Sequence, residues 1–166
     1  NEVIIMNSKI AVALNEQVIF EFNASYLYLA MSIAMADAKM NGYAAWLQAQ
    51  YQEELDHAHK FITYLQDCDQ TITLGDIKGE ACQLDNPLEV AKAVLAHEQM
   101  ITSKIHALYG LAQEEKDYAT VEFLSWFVKE QVEEEASARG IIDQFTFAGD
   151  SKSSQLFVDA KLGQRQ

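Results

Sequence analysis

Proline is almost absent from this sequence, and glycine and cysteine are scarce. One proline and seven glycines among 166 residues leave few places where a helix must break. The abundant residues, Ala, Leu, Glu, Gln and Met, favour helices, so we predict an all-α chain. The two cysteines, Cys68 and Cys82, form neither a close metal-binding pair nor a disulfide framework. A cytoplasmic protein is therefore expected.

Basic charge is also in short supply. Twelve Lys and Arg residues stand against 25 Asp and Glu, a net charge of −13, which argues against a nucleic-acid partner. The acidic surface has two interpretations: it keeps the protein soluble, or it raises the local concentration of cations.

The sequence lacks a long uncharged apolar run. The longest, 22–36, is shorter than the roughly 20 residues that a membrane-spanning helix needs, and it contains the polar residues Asn23, Ser25 and Ser32. Residues 1–14 lack a basic region followed by a long apolar core, and we predict no secretory signal. With 49% hydrophobic residues and no linker, residues 1–166 are expected to form one domain.

Four stripes with the three-and-four spacing of a buried helix face are each interrupted by a glutamate. The clearest runs from Ala91 to Ala112 and is apolar everywhere except at Glu98. The other three cover 14–35, 47–64 and 124–145. The four interrupting residues are Glu21, Glu54, Glu98 and Glu134.

Four buried carboxylates need a source of neutralisation. Each costs several kcal/mol to bury, whereas a domain is stable by only about 5–15 kcal/mol. Protonation, basic partners or bound cations could offset that cost. Basic partners are the weakest of the three explanations because no Lys or Arg lies on these stripes. Two divalent metal ions would balance the four charges.

The periodicity predicts five helices, at about 8–38, 43–66, 87–114, 117–147 and 151–162. Asn41-Gly42 is expected to end the first helix, and Asn86-Pro87 is a typical helix start. Between the second and third helices, 67–86 has no helical period. Some 20 extended residues reach about 60 Å, so this segment can cross the bundle and leave those two helices parallel. The result is a four-helix bundle with one long crossover and a short fifth helix.

The positions of the glutamates test this arrangement. Glu98 and Glu134 are equally far from Lys116 along the chain, one before it and one after it, so the two meet at one level of the second hairpin. The first hairpin agrees less well, because Glu21 lies farther before Asn41 than His57 lies after it. A longer loop would absorb that difference.

Glu54 and His57 lie three residues apart, on one helical face, where they can hold one ion. This spacing alone is common by chance. Together with three more glutamates at compatible depth it predicts a metal site. Carboxylate and imidazole ligands suit iron, manganese or zinc better than calcium.

Several segments resemble the haem-free bacterial ferritins over nearly the whole chain. They are 14–17 leading into Glu21, Tyr26-Leu27-Tyr28-Leu29, Glu53-Glu54-Leu55-Asp56-His57-Ala58, His97-Glu98, and 123–135, which reads FLSWFVKEQVEEE. The resemblance implies a ferritin-like bundle with an iron-oxidising centre.

The resemblance also implies roles for individual residues. One iron would be held by Glu21, Glu54 and His57, and a second by Glu54, Glu98 and Glu134. Gln131 would hydrogen-bond bound oxygen or water, and Tyr28 would lie beside the irons. A third iron site would comprise Glu53, Glu130, Glu133 and the shared Glu134.

Plainer explanations stay open for several residues. Glu130 and Glu133 could belong to a solvated acidic face, and Glu135 could pair with Arg139, four residues on. Core packing would account for Tyr28 and Trp126. The three histidines off the stripes, expected to be exposed or structural, are His59, His97 and His106.

Two departures from related families argue against haem. Bacterioferritins carry a second Glu-x-x-His on the last long helix, where this chain has Gln131 and Glu134. The methionine that binds their haem is replaced here by Leu55. Paired Cys-x-x-Cys motifs, which the rubrerythrins add, are absent as well.

The function implied is iron storage. Fe²⁺ would be oxidised to Fe³⁺ by O₂ or H₂O₂ and stored as mineral in a cage of 24 chains. The short last helix would line fourfold contacts through Leu156, Phe157, Ala160 and Leu162, or else fold onto its own bundle. Two rivals remain: a di-iron oxidase or peroxidase without storage, and a non-catalytic protein whose glutamates stay protonated and bond to Tyr28, Gln131 and each other.

Overall fold

The computed structural model describes residues 5–165, and this part of the chain folds into five α-helices with no strand. They are α1 (Ser8–Asp37), α2 (Asn41–Asp67), α3 (Pro87–Glu114), α4 (Tyr118–Ala148) and α5 (Lys152–Leu162). The all-α prediction, with a short fifth helix, is confirmed. Both ends of the predicted 1–166 domain, and residues 1–4 of the segment expected to lack a secretory signal, lie outside the described residues.

Side-chain caps mark where four of the helices begin. Asn7 accepts a hydrogen bond from the backbone N–H of Lys9 at the start of α1. Asn86 accepts hydrogen bonds from the backbone N–H groups of Leu88 and Glu89, with Pro87 as the first helical residue. Asp117 accepts from the N–H of Thr120 at the start of α4. Ser151 caps α5. These side chains satisfy N–H groups that have no partner within the helix, so these starts could be predicted locally.

The long connection between α2 and α3 crosses the bundle along α1. Asn15 exchanges two hydrogen bonds with the backbone of Thr73. Further along both segments, Asn23 accepts from the N–H of Lys78 at 2.7 Å. The connection therefore runs in the same direction as α1 and opposite to α2. It returns the chain to the end where α2 began, so α2 and α3 are parallel, as predicted.

The first hairpin differs from the prediction. Asn41 and Gly42 do not end α1 but open α2, and the turn is shorter than expected, at 38–40. Lys39 makes the reversal with a φ of 66°. Glu21 and His57 are equally far from Lys39 along the chain, one before it and one after it. The expected longer loop was therefore wrong; the turn is centred earlier, at Lys39 instead of Asn41.

The core consists of two apolar clusters separated by the glutamates. One cluster includes Leu47 and Val94, and the other includes Phe61 and Ile101. On α2, α3 and α4 the glutamate lies between residues of the two clusters. The carboxylates thus form a polar layer across the middle of the bundle.

Helix α1 is long and apolar enough, by length and composition, to cross a membrane. The charged residue Glu21 interrupts its apolar sequence, so no single uncharged run shows this. In the fold, α1 buries a face that includes Leu14, Glu21 and Met35. The core helices of soluble proteins pass the same test, so packing in the bundle accounts for its composition.

Candidate metal centre

One glutamate from each of the four long helices reaches the interior of the bundle. Glu21, Glu54 and Glu98 are each 1% exposed, and Glu134 is 8% exposed. The structure therefore buries all four predicted carboxylates. Since α1 to α4 each supply one, the layer exists only when both hairpins pack together.

Glu21, Glu54 and His57 form the tightest group. One ligand atom from each lies within 4.8 Å of the others, and Nδ1 of His57 is 3.3 Å from Oε2 of Glu54. Within residues 5–165, no other set of three His, Cys, Asp or Glu side chains meets this condition. Glu98 and Glu134 lie outside the group.

Two oxygens of this group lack hydrogen-bond partners. Oε2 of Glu21 and Oε2 of Glu54 are buried and accept no hydrogen bond from any described residue. A buried acceptor without a partner costs about 1–3 kcal/mol, and more when it is charged. A bound cation would satisfy both oxygens. The ligand set, two carboxylates and an imidazole, suits iron or zinc.

Glu98 is held by two neighbours. The Tyr28 hydroxyl donates to its Oε1, and the Gln131 amide donates to its Oε2 at 3.1 Å. Gln131 also donates to the Thr102 hydroxyl oxygen at 3.2 Å. The Gln131 amide was predicted to contact bound oxygen or water; here it contacts Glu98.

Two glutamines without a predicted role also donate hydrogen bonds to these glutamates. Gln17 donates to Oε1 of Glu21 at 2.9 Å, and Gln50 donates to Oε2 of Glu134 at 2.9 Å. A signal was present for both, because Gln17 lies one turn before Glu21 and Gln50 interrupts the same stripe as Glu54. Polar residues next to a buried glutamate on one face are candidate donors.

Burial raises the pKa of all four carboxyl groups. For Glu134, burial and then the charge of Glu98 raise the pKa to about 7. For Glu21, burial and then the charge of Glu54 place the pKa well above its ordinary value. Burial likewise dominates at Glu54 and Glu98. Without a cation, the centre holds protons that a metal ion would release on binding.

The predicted third-site residues are not gathered into a comparable group. Glu53 is partly exposed and pairs with Arg165, whose Nη2 lies 2.8 Å from its Oε1. Glu130 is half-buried and Glu133 is exposed. Glu135 pairs with Arg139 at 3.8 Å, as its spacing suggested.

Aromatic side chains pack around the centre. The Trp126 ring meets His57 edge to face at 5.6 Å, and the Lys60 ammonium lies 3.0 Å from the Trp126 ring centroid. His97 is buried against Tyr28 and Phe20, and burial lowers its pKa to about 4. His97 is thus structural, while His59 and His106 are exposed.

Helix α5 docks on its own bundle with one face only. Val158 and Leu162 are buried in the apolar cluster of α2 and α4. Leu156 and Phe157 remain 55% and 74% exposed, and Ala160 is exposed. Leu162 therefore does not belong to the outward apolar face, because it packs inward. The other three residues remain exposed on the outward side of α5.

Comparisons with known proteins agree with this geometry. A family model described as a ferritin-like domain matches 11–148. A bacterial non-heme ferritin of Bacteroides fragilis is 39% identical over 96% of this chain and 99% of its own length. That of Campylobacter jejuni is 37% identical over 93% of this chain and 92% of its own. The crystal structure of an open pore ferritin from Archaeoglobus fulgidus superimposes with a TM-score of 0.95 at 37% identity, covering 97% and 99% of the two chains.

Proposed function

This chain belongs to the ferritin family, and on that premise we propose how its own residues perform the family's function. It is an iron-storage protein with ferroxidase activity, an oxidoreductase that acts on Fe²⁺. The observation that carries this conclusion is the buried layer of four glutamates, in which two oxygens beside His57 lack any other partner.

We assign two iron ions to this layer. Glu21, Glu54 and His57 hold the first, and Glu54, Glu98 and Glu134 hold the second. The tight group at the first position and the burial of all the ligands support this assignment. Each Fe²⁺ would give up one electron, so the pair would supply the two electrons that, with two protons, reduce O₂ to H₂O₂ or H₂O₂ to water. The protein would supply placement and charge compensation.

The remaining polar residues orient the ligands. Gln17 positions Glu21, Gln50 positions Glu134, and Tyr28 with Gln131 positions Glu98. Each donor stabilises the ionised carboxylate that a cation needs. A third iron is assigned to Glu53, Glu130, Glu133 and the shared Glu134.

Storage requires a container, which one bundle does not enclose. We propose that residues 1–166 form a single cytoplasmic domain that assembles into a cage of 24 chains. The outward face of Leu156, Phe157 and Ala160 supports a contact between subunits. Haem has no part in this proposal, since Leu55 stands where bacterioferritins carry their methionine ligand.

One experiment tests the centre and the container together. Apo-protein is titrated anaerobically with Fe²⁺ and then given an oxygen pulse, with particle size and retained iron measured in parallel. The variants are His57→Ala and, as control, His106→Ala, whose side chain is exposed. His57→Ala should lose an early binding step and most of the oxidation rate, while the control should match wild type.

The rival functions predict different results. An unchanged His57→Ala would remove the assignment of the first ion. A small oligomer that oxidises Fe²⁺ but retains only the ions of its centre would be a di-iron oxidase or peroxidase. If Glu54→Ala and Glu134→Ala leave oxygen consumption unchanged, the glutamates are a structural, protonated network.

A further inference from the structure

Arg165, near the end of the chain, binds Glu53 in the middle of α2. Its Nη2 donates to Oε1 of Glu53 at 2.8 Å, and its Nη1 donates to the carbonyl oxygen of Trp46 at 3.3 Å. The guanidinium carbon lies 4.7 Å from the centroid of the Trp46 ring. These three contacts hold the guanidinium in one orientation.

The docking of α5 directs the tail to this position. Asp159 of α5 accepts hydrogen bonds from the N–H groups of Gly42 and Tyr43, at 3.1 and 2.7 Å. At the end of α5, a Cβ on Gly163 would lie only 3.0 Å from the Cα of Gly42. The tail, residues 163–165, therefore begins in close contact with the start of α2. Trp46 and Glu53 follow two turns apart on one face of that helix.

Glu53 is a proposed ligand of the third ion and not of the first two. A cation bound to its carboxylate therefore occupies a ligand of the third site. In the structure, that cation is supplied by the chain itself, since Nη2 of Arg165 contacts Oε1 of Glu53.

We propose that Arg165 is a tethered cation that competes with iron for Glu53, so that the third ion binds only when the tail leaves α2. This inference rests on the proposed third site. A divalent ion and a guanidinium on one carboxylate repel each other, and Arg165 already occupies one of the two oxygens of Glu53. Arg165 is thus a residue that sets the order of loading, with the two ions of the buried centre before the third.

The test is a calorimetric titration of the assembled apo-protein with Zn²⁺, which binds such ligands without redox chemistry. An exposed ion pair changes an equilibrium constant by up to about fivefold. Since the third ion no longer has to displace Arg165, Arg165→Gln should bind it roughly two- to fivefold more tightly than wild type. The first two binding steps should not change. Arg165→Lys, which keeps the charge but loses the planar contacts, should fall between wild type and Arg165→Gln.

Two controls separate competition from a general effect of charge. Arg139→Gln removes an exposed arginine that is paired with Glu135, and should leave the third step as in wild type. Glu53→Gln should weaken binding of the third ion. The double variant Glu53→Gln, Arg165→Gln should bind the third ion no more tightly than Glu53→Gln alone. Hydrogen exchange offers a second readout: amides of 163–165 should exchange faster once the third ion has bound to wild type.

The outcomes distinguish this inference from the proposed function. If wild type does not bind the first two ions, the proposed function fails and this inference fails with it. If wild type binds them but the third step is the same in Arg165→Gln, this inference alone is overturned. It is equally overturned if Arg139→Gln tightens the third step as much, or if the tail stays protected when the third ion binds.

Discussion

The hydroxyl of Tyr28 on α1 donates a hydrogen bond to Oε1 of Glu98 on α3. Both side chains are 1% exposed, so the bond ties the two hairpins together inside the polar layer. The sequence left open whether Tyr28 serves packing or the site. Its ring belongs to the apolar core and its hydroxyl contacts a proposed ligand.

Tyr28→Phe should separate these two roles, because it keeps the ring and removes the donor. A hydrogen bond contributes about 0.5–1.5 kcal/mol to stability when its partners are neutral and about 1.5–3 kcal/mol when one is charged. Gln131 still donates to Glu98, so we expect a loss of about 1–2 kcal/mol in the unfolding free energy of apo-protein. Urea unfolding at a fixed protein concentration measures it.

The matched control for this prediction is Tyr26→Phe, two residues earlier on α1. Tyr26 is 45% exposed and should tolerate the change. Equal stabilities for the two variants would show that the bond to Glu98 adds nothing.

The pH dependence of apo-protein stability should follow the raised pKa values. A carboxyl group whose folded pKa exceeds its unfolded pKa stabilises the fold while protonated, and this stabilisation is lost as pH rises through the folded pKa. For Glu134 the pKa rises from 4.5 to about 7, so its contribution should disappear between these values. The loss is on the order of 3 kcal/mol.

Thermal unfolding between pH 5 and 8 checks this sign. Apo-protein should lose stability across the range, whereas Glu134→Gln, which cannot ionise, should lose less. Protein loaded with Zn²⁺ should show the opposite slope, because the metal displaces the protons. If wild-type apo-protein instead gained stability relative to Glu134→Gln as the pH rises from 5 to 8, the raised pKa of Glu134 would be contradicted.

The sequence predicted the polar layer because burial and charge conflict there. The burial of Glu98 could be predicted from its apolar stripe alone. Its depth in the bundle matched that of Glu134 because the two residues are equally far along the chain from the short turn at Lys116. The first hairpin was harder to place. The donor groups of Gly42 and Tyr43 that open α2 are capped by Asp159, which is distant in sequence, so no local pattern marks Asn41 as part of a helix.

The same limit applies to the Arg165 contact. Its position depends on how α5 docks. The apolar residues of this short helix lie on two sides, with Val158 and Leu162 buried and Leu156 and Phe157 exposed, so the sequence does not show which side docks. By contrast, Gln50 could have been recognised, since it interrupts a buried stripe next to Glu54. A polar residue at such a position needs a partner, and Glu134 is that partner.

Gln50→Leu should weaken metal binding at mildly acidic pH. Gln50 is a donor to Glu134, and this bond lowers the pKa of that carboxyl against the effect of burial. Without it the pKa rises, the proton competes better, and Zn²⁺ affinity at pH 6.5 should fall roughly tenfold, the equivalent of a hydrogen bond to a charged group. Calorimetry at pH 6.5 and 8 should show a smaller difference at the higher pH.

Gln52→Leu is the control for Gln50. Gln52 lies on the same helix and donates to the exposed Asp56 at 3.2 Å. It should bind Zn²⁺ like wild type at both pH values. A pH-independent effect of Gln50→Leu would point to a packing change instead of the proton competition argued here.

Two glycines in helices should respond in opposite directions to alanine. A Cβ on Gly42 would overlap the carbonyl oxygen of Asp159, so Gly42→Ala must push α5 away from α2 and break the capping bonds. Loss of such a cap costs about 0.5–2 kcal/mol. A Cβ on Gly110, inside α3, would meet no atom within 4 Å, and Gly110→Ala should stabilise the fold by up to about 1 kcal/mol.

Thermal unfolding and hydrogen exchange of α5 measure both glycine variants. Gly42→Ala should unfold earlier and lose protection in 152–165, while Gly110→Ala should unfold later with α5 unchanged. Because Arg165 reaches Glu53 only through a docked α5, Gly42→Ala should also reproduce the tighter third Zn²⁺ step of Arg165→Gln. If it undocks α5 and leaves that step unchanged, the tail and the third site are not linked.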